Sequence, residues 1–133
     1  MDKEAWGKPT WQALHYIALG FPKNPSTQDK VNYQMFYENF YKVIPCTECS
    51  QHYKDNLKTM PVEKYLVDNE KLFEWTVNMH NIVNKILGKH ELTLTEAKVN
   101  YIEKKIDVSF NLVTYVVVVS IIVLLYILFK LYK

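Results

Sequence analysis

From Leu112 to Phe129 the chain reads LVTYVVVVSIIVLLYILF, with no charge and no proline. A run apolar on every face is too long for a strand and reads as one helix. At about 1.5 Å rise per residue it nearly crosses a hydrocarbon core of roughly 30 Å, and Val108 to Phe110 extend it. Lys104, Lys105, Lys130 and Lys133 flank the run, and Tyr115, Tyr126 and Tyr132 suit the interfaces. We therefore expect a transmembrane anchor over residues 108–130 and a short tail over residues 131–133. Residues 1–20 lack a basic region followed by an apolar core, so no signal peptide is expected there. Such an anchor inserts after the preceding part is made, which puts the N-terminal domain in the cytosol. Residues 1–107 remain for one small domain.

That domain reads as all-α. Strand alternation is absent, and apolar residues recur at helical spacing. Trp11, Leu14, Ala18 and Phe21 share a face of a first helix that ends near Gly20-Phe21-Pro22. Ser26 or Thr27 caps a second, with Val31, Met35 or Phe36, Phe40 and Val43 as its apolar stripe, and Ile44-Pro45 stops it. A third begins at Cys46 and runs to about Leu57, before Pro61. Asp68 caps a long fourth helix with Leu72, Trp75, Met79, Ile82 or Val83, and Ile86 on one stripe, and Gly88 fits its C-terminal stop. Thr93-Leu-Thr-Glu96 is a capping box before a short fifth helix to about Ile106. The expected fold is a four-helix bundle with a short fifth helix across one end, followed by the C-terminal transmembrane helix. A core this small gains from a large planar ligand or a dimer interface, and the three Trp and many Tyr and Phe suit either.

All sixteen basic residues are Lys and fourteen acids nearly balance them, which argues against nucleic-acid recognition. Chemistry concentrates instead at Cys46-Thr-Glu-Cys49, which holds both cysteines of the chain. The loop they close is too short to constrain much unfolded chain, and two thiols fall short of a closed zinc site. The motif points to redox chemistry. At the start of a helix, unpaired N–H groups and the dipole favour a thiolate. Cys46 is expected to be the outer sulfur and Cys49 the inner one.

Two further groups stand out. His80 and Asn84, at i and i+4, share a face of the fourth helix, and Asn81 adjoins them. Polar groups in a core helix need partners, and solvent exposure is the plain alternative. Trp11 and His15 are likewise at i and i+4; the pair suits either core packing or stacking plus hydrogen bonding to a heteroaromatic ligand.

Lys8-x-x-Trp11-x-x-x-His15, Pro45-Cys46-x-x-Cys49 and Trp75-x-x-x-x-His80-Asn81-x-Val83-Asn84-x-x-Leu87-Gly88-Lys89, in that order, resemble the Erv/ALR family of FAD-dependent sulfhydryl oxidases. The compact size and single cysteine pair are most similar to the short forms of large cytoplasmic DNA viruses. The abundance of Lys, Asn, Tyr and Ile, which implies A/T-rich coding, agrees with such a source. The resemblance implies a homodimer of helical bundles, each holding FAD with Cys49 against the flavin. It implies that Trp11 and His15 line the cofactor pocket and that His80, Asn81 and Asn84 bind the isoalloxazine and adenine portions. Lys8 and Lys89 would lie near phosphate or ribose, and Tyr101 would replace the family's usual Trp against adenine. No metal is implied. His52 is an optional tuning group. Lys8 stands where Arg is common, which removes a bidentate phosphate contact. Val77 and Leu94 occupy the positions of a structural disulfide found in many relatives. No shuttle cysteine pair is present, so a dithiol protein or thioredoxin-like shuttle is expected to deliver electrons directly to Cys46, with molecular oxygen as final acceptor. Such activity in a reducing cytosol suits a host or virion membrane. Two rivals use the same residues: a tail-anchored zinc adaptor ligated by Cys46, Cys49, His52 and a residue such as His90, and a structural membrane protein with idle thiols.

Overall fold

The computed structural model describes residues 2–132, with the side chains of residue 4 and residues 103–111 outside the description. Two compact units divide the chain at Leu94/Thr95. The first contains α1 (Lys3–Leu19), α2 (Thr27–Asn39), α3 (Thr47–Thr59) and α4 (Asn69–Ile86), with short 3-10 turns at Phe40–Val43 and Val62–Tyr65. No strand occurs among the described residues.

α2, α3 and α4 each start where a side chain satisfies one of the first free amides. Ser26 and Asp29 form a reciprocal capping box on α2: the Asp29 amide donates to Ser26 Oγ and the Ser26 amide to Asp29 Oδ2. Asp68 Oδ1 accepts from the Lys71 amide at 2.8 Å and starts α4. Gly88, at φ +63°, ends it. The Lys89 amide donates back to the Asn84 carbonyl at 2.8 Å and the Gly88 amide to the Lys85 carbonyl at 3.2 Å. This paired closure needs a left-handed residue after the helix, which a side chain at position 88 would disfavour.

The core lies where α1 and α4 pack along one another. Leu14, His15, Ala18 and Phe21 are buried from the first helix and its exit; Leu72, Phe73, Trp75, Thr76, Val77 and Met79 are buried from α4. Tyr37 and Tyr53 bring in α2 and α3. Tyr37 donates its phenol to the Leu14 carbonyl at 2.8 Å, and Tyr53 donates to the Tyr37 carbonyl at 3.2 Å. Both hydroxyls are satisfied, so both rings can be buried at little polar cost.

Of the apolar stripe expected on the second helix, Phe40 is half-buried and meets the buried Tyr53 ring edge-on, but the rest does not face this core. Val31, Met35, Phe36 and Val43 are exposed, and Tyr37 is the buried residue of that helix. Ile86, expected on the α4 stripe, is exposed at 58 %. The fifth helix also differs from expectation. α5 (Leu94–Lys98) passes through a π turn at Val99–Glu103 straight into α6 (Lys104–Leu131). In the second unit, Leu112–Leu131 is long and apolar enough to cross a membrane. Of the flanking lysines, Lys130 is exposed, the Lys104 and Lys105 side chains and Lys133 lie outside the described residues, and Tyr115, Tyr126 and Tyr132 are exposed.

Candidate functional site

Cys46 is the N-cap of α3 and Cys49 lies in its first turn. The two sulfurs are joined in a disulfide, and Cys46 Sγ accepts from the Cys49 amide at 3.2 Å. A sulfur here sits against the positive end of the helix, which favours the thiolate that forms when the disulfide opens. Both residues are half-buried. Two contacts hold this turn in place. Ser50 Oγ donates to the Tyr41 carbonyl at 2.7 Å, and Lys3 pairs with Glu48, between the cysteines, at 3.0 Å. The second pair is exposed, so solvent screens it and it adds little to stability.

A second cluster forms between α1 and α4. Trp11 lies flat over His80, with ring centroids 4.3 Å apart and planes 6° from parallel. His15 is fully buried. Its Nδ1 is 2.8 Å from Thr76 Oγ1 and its Nε2 is 3.1 Å from His80 Nδ1. The Thr76 hydroxyl donates to the Phe73 carbonyl at 2.8 Å. Burial, followed by the neighbouring His80, pushes His15 down to about 3; burial, followed by Lys89, pushes His80 down to about 4. Both rings are therefore neutral near neutral pH.

These neutral rings make stability depend on acid. Below the ordinary histidine pKa of about 6.5 the unfolded chain takes up protons that the folded chain refuses, so stability rises with pH across that window. The carboxylates of Asp29, Glu48 and Asp55 are held low by Ser26, Lys3 and Gln51, so acid weakens the fold through them in the same direction. The urea midpoint of the full chain in detergent is expected to be lower at about pH 5 than at about pH 7. An equal or higher midpoint at the lower pH contradicts the neutral pair.

The remaining polar residues of α4 divide the work. Asn84 is buried, contrary to plain solvent exposure, with Nδ2 3.4 Å from Asn81 Oδ1. Asn81 clasps the loop after the helix: its Nδ2 donates to the Leu92 carbonyl at 2.7 Å and its Oδ1 accepts from the Leu92 amide at 2.9 Å. The loop so held carries Lys89, whose charge reaches His80. Lys8 is exposed on α1, His52 is exposed on α3, and His90 is exposed in the loop. Val77 is buried, Leu94 is half-buried at the end of the first unit, and Tyr101 lies in the π turn of the second.

Thr76 is the member of the cluster that sequence reasoning missed. It stands four residues before His80 on the same face of α4, and that spacing is the signal that could have found it. The arrangement suits a planar heteroaromatic ligand: Trp11 and His80, both half-buried, supply aromatic surface, and the neutral imidazoles supply hydrogen-bonding edges without a buried charge.

Residues 8–103 match the model of the Erv1 / Alr family. A probable FAD-linked sulfhydryl oxidase of Acanthamoeba polyphaga mimivirus is 40% identical over 105 residues, covering 78% of this chain and 73% of that protein. An FAD-linked sulfhydryl oxidase of Oryza sativa subsp. japonica is 35% identical over 89 residues, covering 67% of this chain; this chain spans 45% of the plant protein. The crystal structure of the FAD binding domain of Erv1 from Saccharomyces cerevisiae superposes with a TM-score of 0.71 at 27% identity, over 76% of this chain and 94% of that one.

Proposed function

The chain belongs to the Erv1 / Alr family, and from that premise we propose that it is an FAD-linked sulfhydryl oxidase that makes disulfides in a partner protein. The observation that carries this reading is the closed Cys46–Cys49 bond at the first turn of α3. Sulfurs joined to each other favour redox exchange over the zinc-adaptor alternative.

A thiolate of a reduced dithiol partner attacks Cys46 Sγ. The Cys46–Cys49 bond breaks, a mixed disulfide forms on Cys46, and Cys49 leaves as a thiolate stabilised by the helix terminus. The partner's second thiolate then attacks its own mixed-disulfide sulfur, and the partner departs oxidised. Cys46 and Cys49 are left as the dithiol, holding the two electrons and two protons. When bound, FAD supplies the two-electron acceptor that restores the disulfide and delivers those electrons to oxygen, giving hydrogen peroxide. Trp11, His15, Cys49, His80, Asn84 and Lys89 are the residues proposed to hold it, with Asn81 acting through the Leu92 loop as well; Lys8 is proposed as a phosphate or ribose contact and Tyr101 as an adenine-stacking ring. The flat Trp11–His80 pair and the neutral imidazoles support that assignment.

Residues 1–107 are proposed as the oxidase domain, residues 108–130 as the membrane anchor and residues 131–133 as its tail. The domain is proposed to face the cytosol from a host or virion membrane, and the protein to be a homodimer. Val31, Met35 and Phe36, exposed on α2, support a second copy as cover. The full chain, purified in detergent, should carry stoichiometric flavin and turn dithiothreitol and oxygen into oxidised dithiothreitol and peroxide. Colourless protein with bound zinc would instead establish the adaptor, and colourless metal-free protein the structural role.

A further inference from the structure

The hydrogen bonds of the histidine cluster have a direction, and one backbone carbonyl sets it. A carbonyl oxygen has no hydrogen to give, so the 2.8 Å contact between Thr76 and Phe73 consumes the Thr76 hydroxyl hydrogen. Without that hydrogen, two oxygens would oppose their lone pairs at hydrogen-bond distance. Thr76 Oγ1 is then left as an acceptor towards His15. The hydrogen in the 2.8 Å contact must come from His15 Nδ1. A neutral imidazole carries one N–H, so His15 Nε2 is bare and accepts. The hydrogen in the 3.1 Å contact with His80 must come from His80 Nδ1, which leaves His80 Nε2 bare in turn.

We infer that Thr76 is a positioning residue that locks both histidines in the Nδ1–H form, so that His80 presents Nε2 to the ligand site as a hydrogen-bond acceptor. The depressed basicity of both rings, to about 3 and about 4, supports the single proton on each that this counting needs. Trp11, stacked 4.3 Å from His80, holds the ring plane and hence the direction in which Nε2 points. A heteroaromatic ligand would meet His80 through an N–H or O–H edge. A carbonyl there would face a lone pair. Thr76 is 1 % exposed and acts wholly through the two imidazoles. The tautomers rest on the cluster's geometry alone, and the meeting of Nε2 with a ligand rests on the proposed cofactor reading.

The test is ring-nitrogen NMR of the full chain in detergent micelles, with nitrogen-15 in the histidine rings. Long-range proton–nitrogen correlations report which ring nitrogen carries hydrogen. His52→Gln and His90→Gln, both at exposed sites, remove two of the four histidine signals, and His80→Gln tells the remaining two apart. Wild-type protein should show hydrogen on Nδ1 of both His15 and His80. Thr76→Ser, which keeps the hydroxyl, should preserve that pattern. Thr76→Val, nearly the same size but without an acceptor, should release the chain, so that His15 donates from Nε2 and the His80 hydrogen moves to Nε2. Hydrogen on His80 Nε2 in the wild type overturns the inference, as does a Thr76→Val pattern identical to wild type. Should Thr76→Val fail to fold, the wild-type and Thr76→Ser spectra decide the matter. A loss of oxidase activity with the predicted tautomers intact would count against the function alone.

Discussion

Cys49→Ser should lower dithiothreitol-driven oxygen consumption by about a hundredfold or more while leaving bound flavin in place. Serine oxygen cannot form or reopen a bond to Cys46 Sγ, so the two-electron store is lost outright. The fold has little reason to respond. Cys49 contributes its backbone amide to the cap of α3, donated to Cys46 Sγ, and serine retains that amide. Its side chain is half-buried in the first turn, a position where serine is well tolerated. Colour and activity should therefore separate. Oxygen uptake and the visible spectrum of the same sample read both. Turnover at the wild-type rate would refute the route through the cysteine pair.

Trp75→Ala should cost about 3–5 kcal/mol of folding stability. A small domain has only about 5–15 kcal/mol in total, so much of the chain would unfold near physiological temperature. Trp75 is 1 % exposed and fills the centre of the first unit. Its ring meets Tyr37 edge-on with centroids 5.0 Å apart, and its indole donates to the Met60 carbonyl at 2.9 Å. Alanine leaves a cavity beneath Tyr37 and removes the bond that fixes the end of α3. Trp75→Phe keeps most of the apolar volume and should cost far less. Urea unfolding followed by circular dichroism gives both values. A loss below about 1 kcal/mol for alanine would show that this ring is not central to the core.

Much of the bundle was legible because its helix signals are local. Ser26, Asp68 and Cys46 cap helices where their side chains suggest, and Gly88 takes the left-handed conformation that stops α4. Periodicity was less reliable on α2. It groups Val31, Met35 and Phe36 on one face, but spacing cannot say what covers that face. Tyr37 won the core position because its hydroxyl reaches the Leu14 carbonyl, a partner 23 residues away. The end of the fifth helix was illegible for another reason. No glycine or proline separates residues 94–131, so the chain passes through a π turn into α6 without a breaker.

The site was legible in pieces. Trp11 with His15, and His80 with Asn84, were visible as neighbours on their own helices. That His15 and His80 share a hydrogen bond depends on how α1 and α4 pack, which local spacing does not encode. Thr76 was hidden because a β-branched residue amid Phe73, Trp75 and Val77 reads as core packing. The Asn81 clasp on Leu92 required the course of the loop after Gly88.

The central claim is that electrons from the Cys46–Cys49 dithiol pass to a flavin held by the same chain. Anaerobic titration of the purified full chain with dithiothreitol, followed by its visible spectrum, tests this most directly. The account predicts bound flavin whose oxidised absorbance disappears as dithiol is added and returns when air is admitted. A colourless chain, or flavin that remains oxidised after the disulfide has opened, would contradict it.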